Sequence, residues 1–115
     1  MITPTIDRPT FDALQELMGA EFTRDLIDTF LQEAPPMLAD LRAAFAAGDA
    51  DRFRRAAHSL KTNGNTFGAL KLGGMARDLE LAGVTAIGAA GPQRIDAVAT
   101  EYARVAAVLQ ELRDA

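Results

Sequence analysis

Apolar residues recur along this chain at spacings of three and four, and no stretch shows the period of two that marks a strand. Glycine and proline divide the pattern into helical pieces. FDALQELM follows Thr10, which reads as a helix N-cap, and stops at Gly19. A longer pattern joins Phe22, Leu26, Ile27, Phe30, Leu31, Ala34, Leu38, Leu41 and Phe45 and ends before Gly48. Pro35 and Pro36 fall inside it. Because an internal proline removes a backbone donor and clashes with the preceding turn, the pair predicts a kink or break. A third helix starts from Asp49 or Asp51 and runs to about Phe67, with Phe53, Ala56, Ala57, Leu60, Gly64 and Phe67 in one stripe and Gly68 as its stop. A fourth carries Leu72, Met75, Ala76, Leu79 and Ala82 and ends near Gly83; GVTAIGAAGP reads as a flexible loop. The last begins near Pro92 and presents Ile95, Val98, Ala99, Tyr102, Val105, Ala106, Leu109 and Leu112 on one face.

Four amphipathic helices joined by short connections bury their apolar faces against one another. The expected fold is therefore all-α, an antiparallel four-helix bundle with a short extra helix at the N-terminus, in a single domain over residues 1–115. A hydrophobic content of 49% is enough to build a core without staples. The absence of cysteine excludes disulfides, thiolate metal sites and a catalytic thiol.

No apolar run approaches the ~18 residues that a membrane span needs, and the opening MITPTIDRPT lacks the features of a signal peptide. These features predict a cytoplasmic protein that does not enter membranes. A formal net charge of −4 argues against nucleic acid as a partner. The charge is uneven, however: between Asp51 and Arg77 there are six basic residues and one acidic. The sole histidine, His58, lies in this basic segment of an acidic chain.

On a helical wheel His58 lies about 140° from the centre of the buried stripe, so it is expected in water. Arg54, Arg55, Lys61, Thr62 and Asn65 fall on its side of the helix. A lone exposed histidine is most often an ordinary surface residue. A metal site has no second His or Cys to draw on, and no Asp or Glu lies three or four positions away to orient the ring as in a hydrolytic triad. What remains is an imidazole with a lone pair and cations beside it, an environment that suits acceptance of an activated phosphoryl group better than proton shuttling.

The segment HSLKTNGNTFGA, residues 58–69, closely resembles the signature of histidine-containing phosphotransfer (HPt) domains, and AAGDADRFRRAAH before it and ARDLE after it are similar to the family too. The resemblance implies that His58 is the phosphoacceptor and Lys61 the cation that stabilises the phosphate. It also implies that a response-regulator receiver docks over Arg54, Arg55, Thr62 and Asn65. Thr62 departs from the family's smaller Gly or Ser at the position where the receiver approaches. Gly73-Gly74 inside the fourth helix costs about 2 kcal/mol relative to two alanines and reads as a close helix approach in the core.

By the same resemblance, a receiver aspartate passes its phosphoryl group to His58, which passes it to another receiver, and both steps are reversible. The partners implied are response-regulator receivers and a hybrid histidine kinase. No cofactor is expected on this chain, because the Mg²⁺ belongs to the receiver. No kinase activity is expected either, since the chain has no Gly-rich phosphate loop and no catalytic Asp/Asn set. Two alternatives stand beside this reading: a helical interaction module that is never phosphorylated, and the HPt domain of a larger hybrid kinase. A start at Met1 favours a free-standing protein, and a bundle closed within one chain favours a monomer.

Overall fold

The computed structural model describes residues 4–115; Met1–Thr3, at the start of the expected domain, lie outside the described residues. Helix α1 spans Arg8–Met18, α2 Ala20–Ala47, α3 Ala50–Thr66, α4 Leu70–Ile87 and α5 Gly91–Asp114, with a 3-10 turn at Gly88–Ala90. Helices α2 to α5 form a closed ring in which each packs on its chain neighbours and α5 returns to α2. Ion pairs record the antiparallel sense: Arg42 near the end of α2 meets Asp96 near the start of α5, while Arg113 at the end of α5 meets Asp28 near the start of α2. The fold is an all-helical bundle, with α1 packed across one end against α2 and α3.

The core is continuous and follows the predicted stripes. Phe53, Leu60, Leu72, Leu79, Ile95, Val98, Val105 and Leu109 are fully buried, each stabilising the fold by roughly 1.5–3 kcal/mol through removal of apolar surface from water. Phe30 stacks at a tilt on Phe67 and meets Tyr102 edge-on, tying α2, the end of α3 and α5 together. Among the described residues one core position is charged. Glu101, on α5, is buried and is neutralised by Arg104 at 2.9 Å.

Four expectations change. The N-cap of α1 is Asp7, whose carboxylate accepts from the Thr10 backbone N–H, so Thr10 lies inside the first turn. In α2 the buried face runs through Thr23, Ile27, Phe30, Ala34, Leu41 and Ala44, whereas Phe22 is half exposed at the corner with α1. Thr23 enters the core because its hydroxyl donates to the Gly19 carbonyl, 2.7 Å away.

Nor is α2 interrupted at Pro35 and Pro36. Both prolines are exposed, and buried residues on both sides of the pair (Phe30 and Ala34, then Leu41 and Ala44) carry the helix through it without a break. Finally, most of the expected loop GVTAIGAAGP is helical. Gly83, at φ 72° and ψ 177°, breaks the helical backbone where the fourth helix is expected to end, and a further helical turn, Val84–Ile87, follows across the kink and buries Ile87.

Candidate functional site

Helix α3 carries most of the candidate residues, and its register is fixed from both ends. Asp49 caps it by accepting from the Arg52 backbone N–H, as one of the two expected starts. At the far end Gly68 adopts φ +85°, and its carbonyl accepts from the Asp7 N–H at 2.8 Å. A Cβ there would stand 2.7 Å from the Asp7 carbonyl oxygen, so only glycine lets α1 pin the α3–α4 turn. Between these anchors the stripe Phe53, Ala56, Ala57, Leu60 and Gly64 is buried, which turns the opposite face outward.

On that outer face Arg54, Arg55, His58, Thr62 and Asn65 are exposed, and Lys61 is half-buried. The structure therefore brings all six predicted residues to one side of α3. It alters their surroundings, however. A carboxylate meets the ring: Glu80 of α4 places Oε2 2.7 Å from His58 Nδ1 and accepts from Lys61 Nζ through Oε1 at 2.8 Å. The cationic ring of the sequence reading is thus largely neutralised. Arg54 pairs with Asp51, Arg52 with Asp40, and Lys61 with Glu80; among the described residues Arg55 makes no ion pair. Arg54, Arg55, His58, Ser59 and Glu80 line an open depression between α3 and α4.

The expectation that no carboxylate orients the ring is therefore corrected. It counted only offsets along one helix, whereas Glu80 is 22 residues away in sequence and reaches across from the antiparallel neighbour. The only sign of it in the sequence was its place in ARDLE.

Lys61, hydrogen-bonded to Glu80, holds that carboxyl below its ordinary value; His58 adds to the effect, and burial opposes it. Glu80 is therefore ionised at neutral pH and can only accept, so Nδ1 carries the proton and donates. The lone pair of the neutral ring then resides on Nε2, which has no hydrogen-bond partner among the described residues. With the His58 side chain 58% exposed, that nitrogen is open to a partner.

The lowered Glu80 value fixes the sign of a pH effect. A carboxylate whose folded value is depressed contributes stability that is complete above the unfolded value of about 4.3 and is lost as pH falls through the folded value. The stability advantage of the parent over Glu80→Gln should therefore be full at pH 6 and shrink progressively below about pH 4.3. Urea midpoints for the two proteins across that range measure it, and a gap that widens toward acid would contradict the assignment.

The glycine pair in α4 divides in two. A Cβ on Gly73 would run into Asn65 Oδ1, so this glycine makes room for the Asn65 side chain. Gly74 faces open space. The close approach expected of the pair thus belongs to Gly73 alone, and nothing in the structure explains Gly74.

The sequence profile of the Hpt domain matches residues 25–115, and the chain belongs to that family. It is a histidine phosphotransfer domain with the family's helical-bundle fold. Among solved structures it is similar to histidine-containing phosphotransfer protein B (HptB) from Pseudomonas aeruginosa PAO1. That match has 31% sequence identity and a TM-score of 0.89 and covers 98% of this chain and 97% of the other. Among curated proteins no sequence match was found.

Proposed function

We propose that this domain relays phosphoryl groups between receiver domains on Nε2 of His58. The donor is the phosphorylated receiver aspartate of a hybrid histidine kinase, and the acceptor is the aspartate of a response-regulator receiver. One observation carries the reading: the chain's sole imidazole is exposed, its Nδ1 is tied to an ionised carboxylate, and Nε2 has no partner among the described residues. Lys61 stands one helical turn away to offset the charge of the phosphate. Arg54, Arg55, Thr62 and Asn65 surround the ring and form the surface against which a receiver presses.

The chemistry needs no further group on this chain. The donor is already an activated acyl phosphate, so the domain is a carrier without kinase activity of its own, and Mg²⁺ belongs to the receiver. No described helix is long and apolar enough to cross a membrane. A core closed within one chain supports a monomer.

Transfer of radiolabelled phosphate from a panel of phosphorylated receivers tests the proposal. Label should reach this domain, resist base and be released by acid, and ATP alone should give none. Failure of every receiver to label the domain would overturn the reading and favour an unphosphorylated interaction module.

Lys61→Ala should slow transfer by several-fold without abolishing it. The Lys61 side chain is 24% exposed, so its charge is partly screened, and such pairs are worth about 0–1 kcal/mol. Rapid-quench kinetics at low and high salt would show the defect shrinking as salt rises. Parent-like kinetics at low salt would remove Lys61 from the site.

A further inference from the structure

Gly73 is buried inside α4, where glycine is less favourable than alanine, and no positive φ demands it there. The three nearest atoms that a Cβ would meet all belong to one side chain, the amide of Asn65 on α3. The gap fits that amide. Asn65 itself is exposed, and among the described residues its amide has no hydrogen-bond partner.

This seat lies within the docking face. Asn65 follows His58 by seven residues, two turns and about 10.5 Å along α3, on nearly the same side of the helix. A stable protein contact covers about 800 Å² on each partner, and a round patch of that size reaches about 16 Å from its centre. A receiver centred on Nε2 must therefore cover Asn65 and strip water from its amide. Lodged against Gly73, the amide is fixed before docking and loses little rotamer freedom when the receiver arrives.

We propose that Asn65, seated by the gap at Gly73, is a specificity-determining residue of this domain. It admits receivers that place a backbone N–H or C=O, or a polar side chain, opposite the amide. Receivers that place an apolar group there are penalised. The inference rests on the reading of His58 as phosphoacceptor and of the α3 face as the docking surface. Asn65 takes no part in the chemistry; it acts on how tightly a receiver docks. A matched partner replaces the water that the amide gives up, whereas a mismatched one leaves a buried polar group unmet. The difference is worth roughly tenfold in affinity.

The test uses the receivers that label the parent, ranked by kcat/KM for transfer to the parent, Asn65→Ala, Gly73→Ala and the double variant. For the best receiver, Asn65→Ala should raise KM about tenfold and change the maximal rate by less than about twofold. For the poorest receiver KM should stay level or fall, so the ranking compresses. Gly73→Ala puts a Cβ into the seat and dislodges the amide, so it should reproduce the Asn65→Ala profile. Its melt should not fall, because alanine favours the helix. The double variant should be no worse than either single one, since both remove the same fixed amide.

Asn65→Ala leaves the α4 backbone untouched, so it decides the specificity role whatever the melt of Gly73→Ala. Parent KM values and an unchanged ranking in Asn65→Ala would overturn the proposal while leaving His58 as acceptor. Losses that add in the double variant would overturn the seat at Gly73. Failure of every receiver to label the parent would instead overturn the phosphotransfer reading, and this inference with it.

Discussion

His58→Gln is expected to take up no label from any phosphorylated receiver, yet to melt at close to the parent temperature. Gln offers no nucleophilic nitrogen, and the chain has no second imidazole to take its place. The replaced side chain is mostly exposed and lies outside the buried stripe, so stability should change by no more than about 0.5 kcal/mol. Glu80 keeps Lys61 as a partner, which limits the cost of losing the ring. Labelling assays and thermal melts on the same preparation separate the two effects. Undiminished label on the variant would remove His58 from the mechanism, whereas a collapse of the melt would mean that the ring is structural.

A comparable loss is expected from bulk rather than chemistry at Thr62. This residue is exposed one turn beyond His58 on the same face of α3. A receiver must bring its aspartate into line with Nε2, and misplacement of reacting groups by about 1 Å costs roughly a hundredfold in rate. Thr62→Trp should therefore depress transfer by about a hundredfold or more, with the helix, the nucleophile and the Glu80 contact intact. Thr62→Gly should transfer as fast as the parent or faster, at a helix-propensity cost below about 1 kcal/mol. Receiver affinity and transfer rate measured for both variants decide it; a Trp variant that transfers at the parent rate would move the docking surface elsewhere.

The parts of the fold legible in the sequence were those that depend on periodicity within one element. The stripe from Phe53 to Phe67 is buried as the wheel requires, and the outward placement of His58 follows from it. The last helix begins at Gly91 with Pro92 in its first turn and buries the expected face. Features decided by tertiary context were misread. Pro35 and Pro36 carry a local cost that core packing on either side overrides, and the residues after the Gly83 break form a further helical turn because Ile87 still finds a place in the core. Phe22 matches the helical spacing of its neighbours, but at the corner with α1 it has no opposing layer to bury it, and the stripe rotates to Thr23.

The site divides along the same line. His58, Lys61 and the residues beside them share one helix and were found by offset and by resemblance to the family. Glu80 was invisible to offsets because an antiparallel helix pair joins positions far apart in sequence. A wheel of α3 counts the cations around the ring but omits the carboxylate that balances them. This omission alters the chemistry inferred, since a ring among cations has no fixed tautomer, whereas a ring held by Glu80 presents one nitrogen.

The assignment of Nε2 of His58 as phosphoacceptor is tested most directly by phosphorus–nitrogen NMR. Protein labelled with ¹⁵N in its imidazole is phosphorylated by a receiver, and the coupling partner of phosphorus is read. A one-bond coupling to Nε2 of the single histidine, with the signal stable in base and lost in acid, is the predicted result. Coupling to Nδ1, or an acid-stable phosphate with no coupling to nitrogen, would contradict it.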